Sequence, residues 1–136
     1  MDYFVIDEEA FDVLVTEVVE NFNILYSENT GRTISQSARM VLDPLGSFCG
    51  HKVTVQRKRG HEEEFDRLFN KISKPRSDGM KVKIVHDQSV IEYEAYVSNG
   101  ERALQRINRN TGEVFWGSIS INFIPMEANW REWSKD

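Results

Sequence analysis

A single cysteine, Cys49, occurs in the 136 residues. One thiol cannot close an internal disulfide, and the even set of cysteines that staples small secreted domains is missing. The chain has eight glycines and three prolines, and the glycines never gather. There is no Gly-x-Gly-x-x-Gly run, no Walker-type phosphate loop and no serine in a Gly-x-Ser-x-Gly setting. No apolar run approaches the roughly 20 residues that a helix needs to cross a bilayer. The first nine residues carry neither the basic region nor the apolar stretch of a signal peptide. Acidic residues outnumber basic ones by 22 to 17, for a net charge of -5, which argues against a protein that coats nucleic acid. These absences lead us to expect no membrane and no nucleic-acid partner, and a protein made and kept in a reducing cytoplasm.

What is present is the composition of one globular domain. Apolar residues make up 40% and charged residues 29%, and a chain of this length buries roughly two-thirds of its unfolded surface, enough for one core. Turn signals recur at intervals that suit short strands: Asn29-Thr30-Gly31, Asp43-Pro44-Leu45-Gly46, Ser77-Asp78-Gly79, Ser98-Asn99-Gly100 and Asn110-Thr111-Gly112. Between them the pattern alternates. Val82 and Ile84 share a face against Lys81 and Lys83. Ile91, Tyr93, Ala95 and Val97 share another, with Glu92 and Glu94 opposite. Phe115, Ile119, Ile121 and Phe123 line a third, and Val53 and Val55 point inward from a strand over 51–58. A period of two in β-branched and aromatic residues predicts half-buried strands. Asp87-Gln88-Ser89 and Asn110-Thr111-Gly112 are read as hairpin turns.

One helix is predicted over about 61–73. Phe65, Leu68, Phe69 and Ile72 form one apolar stripe, Glu62, Glu63 and Glu64 sit at the positive end of its dipole, Lys71 lies in the last turn and Pro75 stops it. Residues 10–26 fit either a helix or two strands, and the valines at 13, 15, 18 and 19 favour strands. The expected fold is mainly β (α+β), an antiparallel sandwich or barrel with one flanking helix. The expected layout is an N-terminal arm at 1–10, a single β-rich domain at 11–127 and an aromatic tail at 128–136.

Groups able to do chemistry are few. His51, His61 and His86 show no metal-ligand spacing with one another or with Cys49, and each is read as a separate polar or capping residue. Cys49 is read as a small packed hydrophobe rather than a nucleophile. A small ligand-binding or enzymatic β-barrel would need His51, His86 and Cys49 to converge on a closed cavity. Glu62–Glu64 point in three directions and cannot converge on a cation. Gln56-Arg57-Lys58-Arg59 is the only basic cluster, and the glutamates that follow cancel its field. No catalytic, cofactor-binding or metal-binding residue is therefore assigned. Trp130 and Trp133 are the leading candidates for partner contact, as large aromatics three apart near the terminus, with Arg57 and Lys58 behind them.

The order of short motifs resembles one family. Gly31-Arg32 follows the N-terminal strands, and a strand ends in basic residues. A helix then reads Glu64-Phe65-Asp66-Arg67-Leu68-Phe69 and runs into Ile72-Ser73-Lys74-Pro75. A hairpin strand reads Tyr93-Glu94-Ala95-Tyr96-Val97, and Trp116-Gly117 opens a strand that ends Asn122-Phe123-Ile124-Pro125-Met126-Glu127. From about Phe11 to Glu127 this resembles the small tail-module structural proteins of siphophages, prophages and phage-tail-like particles of Firmicutes. The resemblance implies a non-enzymatic, ring-forming component of the tail tube or baseplate, whose partners are copies of itself and neighbouring tail proteins. It would be made in the bacterial cytoplasm and then built into the virion or particle. A head–tail connector or tail terminator is the alternative within the same class.

Overall fold

The computed structural model describes residues 4–28, 30–32 and 38–129. In chain order the strands are β1 (Phe4–Ile6), β2 (Glu9–Ala10), β3 (Leu14–Tyr26), β4 (Gly31–Arg32), β5 (Met40–Val41) and β6 (Pro44–Gln56). After helix α1 (Glu62–Ile72) come β7 (Met80–His86), β8 (Ser89–Tyr96), β9 (Leu104–Ile107), β10 (Val114–Trp116) and β11 (Ile119–Pro125). The fold is mainly β, with one helix among the described residues. Seven strands form one antiparallel sheet in the order β2-β1-β7-β8-β11-β6-β3, and β9–β10 and β4–β5 form two small ladders.

Strand β11 is the seam of this sheet. Its residues Ile119 to Phe123 pair with β6, while Ile124 and Pro125 pair with β8. The sheet curls so far that His86 on β7 reaches Glu20 on β3, the far edge strand. The two halves thus face each other across one core. Val53 and Val55 of β6, Val82 and Ile84 of β7, Tyr93 and Ala95 of β8, and Ile119, Ile121 and Phe123 of β11 fill it. These are the inward sets that the alternation predicts. The helix closes one side through Phe65, Leu68 and Ile72, three of the four residues of its predicted stripe. His61 occupies its N-cap without a side-chain cap bond and lies instead 3.1 Å from Asp12.

Three expectations change on inspection. The stretch expected as an N-terminal arm is built into the sheet: Phe4 to Ile6 pairs with β7, and Ile6 is fully buried. Its hairpin turns at Asp7 and Glu8, both at positive φ (49° and 67°), as a two-residue turn with primed geometry requires. The ambiguous stretch before residue 27 is neither helix nor two strands, but one 13-residue strand with a register shift between Val15 and Glu17. The single strand read from Phe115 to Phe123 is broken at Gly117-Ser118 into β10 and β11.

Strands β3 and β6 pair over their whole length, from Leu14–Gln56 to Tyr26–Pro44, but β11 covers β6 only from His51 to Val55. The remaining pairs, Asn21–Gly50 to Tyr26–Pro44, run past the body as a two-stranded arm about 20 Å long. The chain beyond β11 returns along the arm's base. The Asn129 side chain accepts from the Cys49 N–H at 2.8 Å and donates to the Cys49 carbonyl at 3.0 Å, and its own N–H reaches the Ser47 carbonyl.

Candidate functional site

The inward face of β6 changes character along its length. Val55 and Val53 lie in the apolar core, and the next two inward positions are His51 and Cys49, both fully buried. Directly opposite His51 in the ladder stands Glu20, on the same inward face of β3 as Val18, which packs on the core. The curl of the sheet brings His86, the last residue of β7, to the other side of Glu20. Ligand-capable atoms of Glu20, Cys49, His51 and His86 all lie within 4.8 Å of one another.

The hydrogen bonds define how the groups are held. Tyr93 Oη lies 2.8 Å from His51 Nδ1, and Glu20 Oε2 lies 3.0 Å from His51 Nε2 and 2.7 Å from His86 Nδ1. Burial pushes the Tyr93 phenol up, as do the nearby Cys49 and Glu20, so it stays protonated and donates to Nδ1. His51 then donates through Nε2 to the carboxylate, and His86 donates to the same oxygen. Burial holds the His51 ring below the usual imidazole range; the adjacent carboxylate opposes this without cancelling it. For Glu20, burial pushes the carboxyl up, but hydrogen bonds from His86 and His51 and their charge outweigh it and hold it below the ordinary value. Burial, with Glu20 and Asp87 behind it, pushes the Cys49 thiol up to about 11. At neutral pH the cluster therefore holds a carboxylate at Glu20, a neutral imidazole at His51 and a protonated thiol at Cys49, with His86 donating to the carboxylate. Cys49 lacks the thiolate that a nucleophile needs.

The sequence identifies three of these four residues without joining them. His51, His86 and Cys49, expected to be separate, are brought together. Glu20 carries a signal of its own, a carboxylate in phase with Val18 on the apolar face of a strand. The proposed contact residues fare differently. Arg57 donates from Nε to the Trp116 carbonyl at 3.2 Å and lies 4.6 Å from the centre of the Phe115 ring, tying β6 to the β9–β10 hairpin. Lys58 pairs with Asp12 at 3.0 Å. Trp130 and Trp133 lie outside the described residues.

A second feature is the arm. Among its exposed apolar residues are Phe22, at 65% exposure, Ile24, Leu25 and Tyr26 on β3, Leu45 on β6 and Leu42 near its tip. Phe22 and Ile24 continue the inward face of the core past the polar cluster, and Leu25 lies on the outer face. Strand β3 is the last strand of the sheet and carries only Glu17 and Glu20 as charges among its 13 residues. No described helix is long and apolar enough to cross a membrane. Comparison with protein-family models finds no match for the chain, and comparison with curated proteins finds none either.

Proposed function

We propose that this chain is a structural component of the tail tube or baseplate region of a phage or phage-tail-like particle, and that it acts by oligomeric assembly rather than by catalysis. The observation that carries the assembly reading is the β3–β6 arm. A long, sparsely charged edge strand with an apolar surface invites pairing with other chains, and monomeric proteins blunt such edges with prolines, charges or cover. Here the edge is long, and the arm offers Phe22, Ile24 and Leu45 as anchors beside backbone groups that can extend a sheet. The arm of one copy and the body of the next would form a heterologous contact, the kind that closes rings. The placement in a tail rests on the motif order from Gly31-Arg32 to Met126-Glu127. A head–tail connector or tail terminator would use the same arm in the same way. The chain would be made in the host cytoplasm and leave it as part of the particle.

The test is the solution mass of the purified chain across a concentration range, with Phe22→Ser/Ile24→Ser alongside. The expected result is a defined ring or a concentration-dependent oligomer that the double variant reduces to folded monomer. A wild-type chain that stays monomeric, alone and when mixed with tail proteins encoded beside it, overturns the reading. Immunogold labelling of particles separates tube, baseplate and connector positions.

A further inference from the structure

We infer that Glu20, Cys49, His51 and His86 form a binding site for one divalent transition-metal ion of the zinc class, which pins the base of the arm to the body. This inference does not depend on the phage reading. The donor set is one thiolate, two imidazoles and one carboxylate, the mixture that zinc takes in closed four-coordinate sites. Bonds of about 2.0–2.3 Å to a tetrahedral ion place donor atoms roughly 3.3–3.8 Å apart. The four donors lie within 4.8 Å of one another, with the Glu20–histidine pairs at 2.7 and 3.0 Å. Adjustments of about an ångström in side-chain torsions, not in the strands, bring them to that geometry.

The outer groups fit as well. Ligating imidazoles are held by a partner on the other ring nitrogen. His51 has Tyr93 Oη at 2.8 Å on Nδ1, and His86 has Asp87 Oδ2 at 3.5 Å from Nε2. The proton balance closes. On binding, the Nε2 proton of His51 moves to Nδ1, facing Tyr93, and His86 gives up its Nδ1 proton and keeps one on Nε2, facing Asp87. The Cys49 thiol loses its proton to solvent. A divalent cation with one thiolate, one carboxylate and two neutral imidazoles makes a neutral cluster, so burial costs little. Without an ion the same groups satisfy one another by hydrogen bonds, so the fold does not collapse when it is lost. Four protein donors leave no open position for substrate, and the ion would be structural. It would link the paired strands β3 and β6 to β7, which reaches them here only because the sheet curls.

The experiment is titration of the reduced, chelator-treated chain with Co²⁺, followed by displacement with Zn²⁺. The expected result is one equivalent bound, with the visible bands of tetrahedral cobalt, a near-ultraviolet thiolate-to-cobalt band, release of the thiol proton and a raised Tm in Zn²⁺. Cys49→Ser should abolish the charge-transfer band. His86→Gln, at the rim of the cluster, should weaken binding at least about 100-fold, and Tyr93→Phe about 10- to 100-fold, through loss of the His51 partner. Absence of the thiolate band in the wild-type chain overturns the inference. So does binding that His86→Gln and Tyr93→Phe leave unchanged, which would mark an adventitious ion at a surface pair such as Asp12 and His61.

Discussion

Glu20 and His51 stand opposite each other in the β3–β6 ladder, and Oε2 of the carboxylate lies 3.0 Å from Nε2 of the imidazole. The pair sits where the apolar core ends and the arm begins, with His51 fully buried and Glu20 at the solvent edge. Its protonation therefore bears on how firmly the arm is rooted.

Acidification should loosen the fold in two stages. His51 has its pKa lowered by burial from 6.5, so below about pH 6.5 the unfolded chain takes up a proton that the folded one resists, and stability falls. Glu20 has its pKa lowered from 4.5, so its contribution is intact above that pH and is lost as pH falls through the lower folded value. Thermal melts of the ion-free chain from pH 7.5 to 5 should show a falling Tm, and His51→Gln should flatten the decline. A wild-type Tm that is constant across this window would contradict the assignment of His51 as buried and neutral.

Asn129→Ala removes two hydrogen bonds to the backbone of one residue, Cys49. The expected cost is about 1–3 kcal/mol in urea unfolding, since the Cys49 N–H and C=O lose their partners at the base of the arm. Hydrogen exchange of the Cys49 amide should accelerate more than that of Val53, which bonds within the β6–β11 ladder.

Gly50→Ala tests the packing on the other face of β6. A Cβ there would stand 2.9 Å from Asn21 Oδ1 and 3.1 Å from the Phe123 carbonyl oxygen. The amide of Asn21 can turn away, but the Phe123 backbone belongs to the seam strand. Destabilisation of about 1–3 kcal/mol is expected, read from chemical denaturation. Gly31→Ala, where nothing lies within 4 Å, is the neutral control.

Arg102 holds the loop after β8 against the helix. Its guanidinium lies 4.2 Å from the Trp116 ring centre and 4.4 Å from that of Phe69, and Nη1 donates to Asp66 at 2.6 Å. Arg102→Lys keeps the charge and loses the flat face and fork, so a loss of about 1–2 kcal/mol is expected. The near-ultraviolet dichroism of Trp116 should weaken with it.

The parts of the fold that could be read in the sequence are those with one wet face. The strands at 80–86 and 89–96 alternate cleanly because lysines and glutamates mark the solvent side. The helix declares itself through Phe65, Leu68, Phe69 and Ile72. Strand β3 resists reading because both of its faces are apolar and its phase slips: Val18, Phe22 and Ile24 point one way, joined by Val15 across the register shift, and Val19 and Leu25 carry apolar surface on the other face. A strand of that kind shows its period of two only in pieces, which reads as two strands or a helix rather than one long strand. The cluster was hidden for a different reason. Its members come from three strands separated by dozens of residues, and His86 meets Glu20 only through the curl of the sheet. Cys49 and His51 are neighbours on one face of β6, but two such residues are ordinary on a strand. The short β1 strand was missed because three residues are too few to show a period.

Strand β6 belongs to both arm and body, and this has a mechanical consequence. A pull on the arm along its axis passes down β6 into its five pairings with β11, whose hydrogen bonds lie across the load. Hydrogen bonds loaded in that direction are sheared together rather than unzipped in sequence, so the joint resists tension as a block. A chain held by its arm would pass a lengthwise force into its body without unravelling.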